Sequence, residues 1–141
     1  MSPRCPAVAV SLAAVTMPAI ASADPSASIG ERVTPVFEHS ISNIPGKSLA
    51  VLVVDYAPGG KSASHRHAGS AFIYAQVLSG AVRSQVNDEP VRVYLAGENW
   101  FEAPGSRHRV SENASATEPA RLLAVVMVDE GDRPLTTPDP D

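Results

Sequence analysis

Residues 59–80 read GGKSASHRHAGSAFIYAQVLSG, and this stretch carries the strongest indication of fold and chemistry in the chain. Its centre is His65-Arg66-His67, which follows a pair of glycines. Because side chains alternate across an extended backbone, both imidazoles would project to one face of a strand and Arg66 to the other. Two neighbouring imidazoles supply half of a metal site, so the stretch predicts a metal-binding strand.

A third histidine, His108, follows a Pro104-Gly105 corner that opens another strand-like run. Together with His65 and His67 it could hold one divalent cation at about 2.0–2.2 Å and leave positions for water, dioxygen or a bidentate substrate. Held only by neutral ligands, the cation would keep its full charge and favour an anionic or chelating substrate. The alternative is that each histidine is structural and the site is degenerate.

The composition favours one domain of short strands. The chain has 141 residues, with thirteen prolines and nine glycines, and tight turns between short strands use both residue types. Apolar runs bounded by Pro, Gly, Asn or Asp predict eight or nine strands and no amphipathic helix of useful length. The clearest of these runs are 48–56, 71–78, 81–86, 91–95, 100–103 and 120–128. We therefore predict an all-β domain.

The N-terminus is typical of a secretory signal peptide. Arg4 precedes an apolar run at residues 7–15, and Ala21-Ser22-Ala23 has the small-x-small cleavage pattern. We predict that residues 1–23 are removed and that the protein is exported, periplasmic or secreted; a retained membrane anchor is the alternative. The only cysteine, Cys5, would leave with the signal peptide, so the mature domain would have no disulfide.

The predicted domain boundaries follow from composition. Residues 24–34 are polar and small and predict a flexible leader, residues 35–129 hold the strands, and the proline-rich acidic tail at 130–141 predicts disorder. The net charge of the chain is −4. This acidic balance speaks against nucleic acid or an anionic membrane as a partner.

Two motifs in this order resemble those of the cupin superfamily. The matching residues are Gly60, His65, His67 and Gly80 in the first motif and Gly97, Pro104, Gly105 and His108 in the second. The resemblance implies a single cupin-type jelly-roll barrel that binds a divalent metal through His65, His67 and His108. It favours iron(II), with zinc, copper, nickel or manganese as alternatives, and it implies that a homodimer paired through edge strands is possible.

The chain departs from the family pattern at one ligand. The family's glutamate should fall at Ala71, Phe72 or Ile73, and none of these is a carboxylate. Gln76 lies too far along the same strand to replace it. Glu112 is four residues after His108 and would share its face, but at too great a distance for direct contact. The sequence thus predicts a three-histidine site in which the glutamate ligand is absent.

Two functions remain open from the sequence, and no catalytic residue is assigned in either. The first is an exported, dioxygenase-like oxidoreductase acting on a small chelating molecule. The second is a non-catalytic module that binds a small ligand or a metal.

His39 lies outside both motifs and is predicted to be exposed or in the first strand. The aromatic residues are predicted to lie in the barrel core or to line a pocket; they are Phe72, Tyr74, Trp100 and Phe101. The arginines beside the histidines are predicted to form a solvated face; they are Arg66, Arg107 and Arg109.

Overall fold

A computed structural model describes residues 28–140, and the predicted signal peptide lies outside this range. The described residues form ten β-strands and no helix, and so no helix that could cross a membrane is found among them. The strands are β1 (Ile29–Ser40), β2 (Lys47–Lys61), β3 (His65–His67), β4 (Phe72–Ser79), β5 (Ala81–Val86), β6 (Arg92–Leu95), β7 (Asn99–Glu102), β8 (Arg107–Asn113), β9 (Ala120–Asp129) and β10 (Thr136–Pro138).

The strands form two antiparallel groups that face each other. One group runs β1-β2-β9-β4-β7, and the other runs β10-β3-β8-β5-β6. The far end of β2 joins them, where Lys61 pairs with Glu112 on β8. This arrangement confirms the predicted all-β cupin-type jelly roll, with ten strands where the sequence predicted eight or nine.

The structure differs from the predicted flexible leader, because β1 begins at Ile29 and pairs with β2 as far as Ser40. Ladder hydrogen bonds join backbone groups, so a polar, small composition does not reveal them. β2 also continues through Pro58-Gly59-Gly60, where the sequence predicted a stop. A Cβ at Gly60 would lie 2.6 Å from the carbonyl oxygen of Gly30, so the close approach of β1 and β2 requires glycine here.

The predicted disordered tail contains β10, which pairs with the histidine strand β3. Asp139 anchors it: Arg107 Nε donates to this carboxylate at 2.6 Å, Ser64 Oγ donates at 2.5 Å, and Arg66 Nε lies 3.7 Å away. Arg66 and Arg107 are cross-strand neighbours with like charges. The carboxylate of Asp139 offsets their repulsion, and this explains why an acidic tail is ordered here.

The aromatic residues divide between the two faces of the barrel wall. Trp100 is buried, as predicted for core, whereas Phe72, Tyr74 and Phe101 are exposed and Phe72 stacks on Phe101 at 5.8 Å. The prediction was wrong for these three, because the buried positions of β4 are Ile73, Ala75 and Val77 and the alternation turns residues 72 and 74 outward.

A register shift in β8 changes which residues face inward. His108 is buried, but so are Ser111 and Asn113, and the pairing with β5 shifts between Gln85 and Val86. The extra residue reverses the alternation after His108. Glu112 therefore does not share the face of His108, as the sequence predicted, and instead pairs with Arg83 at 2.5 Å.

The anchoring of β10 can be tested by hydrogen exchange. Asp139→Ala removes the acceptor of two short hydrogen bonds, and a hydrogen bond to a charged group contributes about 1.5–3 kcal/mol. We expect the amide of Ala68, which donates to Leu135 of the tail segment, to exchange at least about tenfold faster. Asp88→Ala is the matched control, since Asp88 is 91% exposed and pairs with Arg109 elsewhere. Equal exchange in both variants would contradict the proposed anchor.

Candidate metal centre

The three predicted histidines converge on one point inside the barrel. His65 and His67 lie on β3, His108 lies on β8, and His65 and His108 are directly paired across the two strands. One ring nitrogen from each residue lies within 4.8 Å of the others. Adjacent ligands of one ion at 2.0–2.2 Å lie about 3.0–3.5 Å apart, so the widest pair must close by more than about 1 Å when an ion binds.

The second nitrogen of each ring is held by a neighbour. His65 Nδ1 hydrogen-bonds to the carbonyl oxygen of Ala63 at 2.7 Å, and His67 Nδ1 to that of Leu135 at 3.3 Å. His108 Nε2 hydrogen-bonds to Ser84 Oγ at 2.8 Å. Histidines that bind metals usually have such a partner, because it fixes the tautomer and turns the other nitrogen toward the ion.

Burial keeps two of the imidazoles neutral. His65 and His108 are 9% and 4% exposed. Desolvation lowers the pKa of His108 to about 4, against the smaller upward effect of Glu102, and burial also lowers the pKa of His65. Neutral imidazole is the form that binds metals, so both rings are available at neutral pH.

A glutamate that the sequence analysis did not consider lies against the histidines. Glu102 ends β7, in which Trp100 and Glu102 are buried and their neighbours are exposed. Glu102 Oε2 lies 3.3 Å from His67 Nε2, and Oε1 lies 3.2 Å from His108 Nδ1. Trp100 Nε1 donates to Oε1 at 3.2 Å. The sequence could have indicated Glu102 by its position two residues after Trp100 in a short predicted strand. Residues two apart in a strand face the same side, so a buried Trp100 implies an inward-facing Glu102.

Glu102 is a buried anion whose partners are incomplete. It is 2% exposed, and although burial acts to raise its pKa, the adjacent His67 and His108 lower that pKa to about 2. Within the described residues, its Oε2 and the facing Nε2 of His67 are buried without any hydrogen-bond partner. Such atoms are costly unless something else satisfies them, and a cation between them would do so.

The histidines open into a cavity of about 310 Å³. Aliphatic side chains form most of its wall, including Leu52, Val54, Ile73 and Leu122. Its polar residues include Tyr56, Ser62 and Ser111, and among the described residues that line it there is neither lysine nor arginine. The site is thus a small, largely apolar chamber whose polar groups are placed at a few points.

The other positions that the sequence raised as possible ligands supply no further donor to the cavity. Ile73, at the family's glutamate position, lines the cavity, whereas Gln76 and Glu112 are not among the lining residues. His39 is exposed on β1, in agreement with its predicted place outside the site.

A family profile described as "Cupin domain" matches residues 52–126, which is more than half of the chain. This chain belongs to the cupin family. No curated protein sequence matches this cupin at a significant level.

Solved structures show the same fold. The cupin-2 domain protein Rru_A2000 from Rhodospirillum rubrum is 19% identical, with a TM-score of 0.61 over 86% of this chain and 74% of that one. A protein with a double-stranded β-helix domain from Klebsiella pneumoniae is 20% identical, with a TM-score of 0.60 over 85% and 90% of the two chains. Recombinant oxalate oxidase in complex with glycolate is 20% identical, with a TM-score of 0.59 over 82% and 57%.

This chain corresponds to only part of the length of some of the solved structures that it matches. This cupin spans 64%, 57% and 55% of the lengths of the first three solved structures that it matches. At these identities the similarity establishes the fold. The three imidazoles of this chain provide a donor set that fits a divalent cation.

The lowered histidine pKa values predict acid sensitivity of the metal-free protein. In the unfolded chain His108 takes up a proton below about pH 6.5, whereas in the folded protein its pKa is about 4. The unfolded state therefore binds more protons between these values, and the free energy of unfolding should fall as pH falls, by up to about 1.4 kcal/mol per pH unit from this group.

Urea unfolding in the presence of a chelator, at pH 7 and pH 5, checks this prediction. His108→Gln should reduce the loss of stability between the two pH values, because the titrating group is gone. The control His39→Gln alters an exposed histidine and should leave the loss unchanged. A pH dependence that is identical in wild type and His108→Gln would contradict the assignment.

Proposed function

We propose that this protein is an exported metal-binding cupin that holds one divalent cation, favouring iron(II), on His65, His67 and His108, and acts as an oxidoreductase on a small chelating molecule. The observation that carries the proposal is the convergence of three ring nitrogens from two adjacent strands within 4.8 Å. A bound divalent metal would supply Lewis acidity and, for a redox-active ion, electron transfer to dioxygen.

The protein's own residues would bind the substrate and shield it from water. The aliphatic wall suits a substrate with an apolar part, and the cavity volume of about 310 Å³ limits the substrate to a small molecule. The lining includes the carboxylates Glu31 and Glu102 but no lysine or arginine among the described residues. We therefore favour a neutral or weakly acidic chelator over a strongly anionic substrate.

A chain of hydrogen bonds offers a polar contact on the cavity wall. Ser62 Oγ donates to Glu31, and Tyr56 Oη contacts Ser62 Oγ at 2.7 Å and Ser111 Oγ at 2.8 Å. Burial raises the pKa of Tyr56 to about 12, so its hydroxyl stays protonated at neutral pH. Because Ser62 gives its proton to Glu31, Tyr56 donates its own proton to Ser62 and accepts one from Ser111. Tyr56 therefore fixes the serines of the cavity wall and serves neither as a base nor as a free donor.

Oxalate oxidases among the similar structures give one reason to test oxygen-dependent chemistry first. The alternative is a binding module without turnover. The cavity favours that alternative in one respect: outside the metal centre, its titratable groups in the described residues are Tyr56, which stays protonated, and Glu31, which accepts a hydrogen bond from Ser62.

Metal analysis and oxygen uptake together test the proposal. Wild type reconstituted with iron(II) under anaerobic conditions should bind one ion per chain, and His65→Ala, His67→Ala and His108→Ala should each reduce occupancy at least about tenfold, because a ligand is lost. The matched control His39→Ala should bind as wild type does.

Oxygen uptake by the iron-loaded protein with neutral diketone, phenolic and thiol compounds separates the two functions. Stoichiometric iron with substrate-dependent uptake supports the oxidoreductase. Stoichiometric metal with ligand binding but without uptake supports the binding module. Wild type that stays metal-free with iron, zinc, copper, nickel and manganese would contradict the oxidoreductase, and metal-free protein that binds a small ligand would support the binding module.

Export is proposed from the N-terminal sequence. Arg4, the apolar run 7–15 and Ala21-Ser22-Ala23 support it. Intact mass of the protein recovered from an export-competent bacterial host should correspond to a chain that begins at Asp24. A full-length mass in the soluble cytoplasmic fraction would contradict export.

A further inference from the structure

We propose that Glu102 is a fourth, anionic ligand of the metal centre, so that a carboxylate from β7 replaces the one that the family motif would place on β4. This inference rests on the proposed metal-binding function and deepens it. It assigns a ligand that is not one of the motif positions, on β7, a strand that carries none of the three histidines.

The position of Glu102 opposite the vacant motif site is the first observation. Ile73, seven residues before Gly80, holds the place where the family's glutamate is expected, and its direct cross-strand partner on β7 is Glu102. Side chains that are directly opposed in an antiparallel pair have Cβ atoms about 4.5–5.5 Å apart and lie on the same face. A carboxylate moved by one strand can thus serve the same point in the barrel.

The second observation is the size of the gaps between the rings. The ring centroids of His65 lie 4.8 Å from His67 and 5.2 Å from His108, but those of His67 and His108 are 6.3 Å apart. Glu102 spans this widest gap, with one oxygen near each ring. It occupies the side of the site that the three histidines leave open.

The third observation is that the distances fit shared coordination. Adjacent ligands at 2.0–2.2 Å from one ion lie about 3.0–3.5 Å apart in octahedral or tetrahedral geometry. Glu102 Oε2 and His67 Nε2 are 3.3 Å apart, yet neither of these buried atoms has a hydrogen-bond partner among the described residues. An ion between them would satisfy both atoms. Glu102 Oε1 retains its hydrogen bond from Trp100, which orients the carboxylate.

The alternative is that Glu102 only orients the His67 and His108 rings. Two properties distinguish a metal ligand from a residue that only orients the rings. A ligand must lie at bonding distance from the ion, whereas an orienting residue lies more than 3 Å from it. A ligating carboxylate also lowers the net charge of the centre from +2 to +1, which weakens the preference for anions that three neutral ligands would give.

The test uses zinc(II) as the probe, with the wild-type protein and three variants. Glu102→Gln keeps the size of the side chain and an oxygen for Trp100 but removes the charge, and Glu102→Asp shortens its reach by one methylene. Glu112→Gln is the matched control, since Glu112 pairs with Arg83 away from the cavity. Thermal unfolding of each metal-free variant verifies that it folds.

The decisive readout is the zinc position, from anomalous diffraction of zinc-loaded wild-type crystals. We expect Glu102 Oε2 at about 2.0–2.2 Å from the ion. Zinc affinity should fall more than about 100-fold in Glu102→Gln, beyond the 10–100-fold typical of outer-shell partners, fall clearly in Glu102→Asp, and stay within about threefold of wild type in Glu112→Gln.

Two failures are distinguishable. Zinc held by the three histidines with Glu102 more than 3 Å away overturns the ligand role and leaves the proposed metal-binding function standing. Wild type that binds no zinc and no other divalent ion overturns both. An affinity of Glu102→Gln within threefold of wild type also overturns the ligand role.

Discussion

The cost of burying polar groups in an apolar chamber dominates this structure. Three imidazoles and a carboxylate lie within a cavity whose wall is mostly aliphatic, and two of their facing atoms, His67 Nε2 and Glu102 Oε2, lack hydrogen-bond partners in the described residues. Buried polar atoms of this kind are destabilising unless they are satisfied. A shared cation would satisfy both atoms together, so we expect metal binding to stabilise the fold.

The strands around the site hold the rings in place from several directions. β3 has only three residues and would be a weak element alone, but β8 pairs with one side of it and β10 with the other. Arg66 and Arg107 on the outer face hold Asp139 of the tail, and Leu135 of the tail segment holds His67. The outward arginines and the inward histidines thus belong to one arrangement, in which charges on the outer face hold in place the strand that carries His65 and His67.

Much of this architecture could be predicted from local pattern. The apolar runs and the Pro-Gly corners indicated most strands, and the alternation His65-Arg66-His67 indicated which side chains face inward. The rest depends on long-range pairing. The start of β1 at residues 29–32 and the whole of β10 form backbone hydrogen bonds that polar, small or proline-rich segments do not indicate. The shift after His108, which turns Glu112 outward, comes from the register with β5. The sequence indicated at most that Glu102 shares a face with Trp100, whereas its position opposite Ile73 depends on the pairing of β4 with β7.

X-ray absorption at the zinc edge tests the central claim most directly, because scattering from imidazole rings gives the number of histidines bound to the ion. For zinc-loaded wild-type protein we predict three imidazole ligands together with oxygen donors at about 2.0–2.2 Å, and two imidazoles in the His108→Ala variant. Fewer than three imidazoles in wild type, or zinc that is not retained, would contradict the claim that His65, His67 and His108 share one cation.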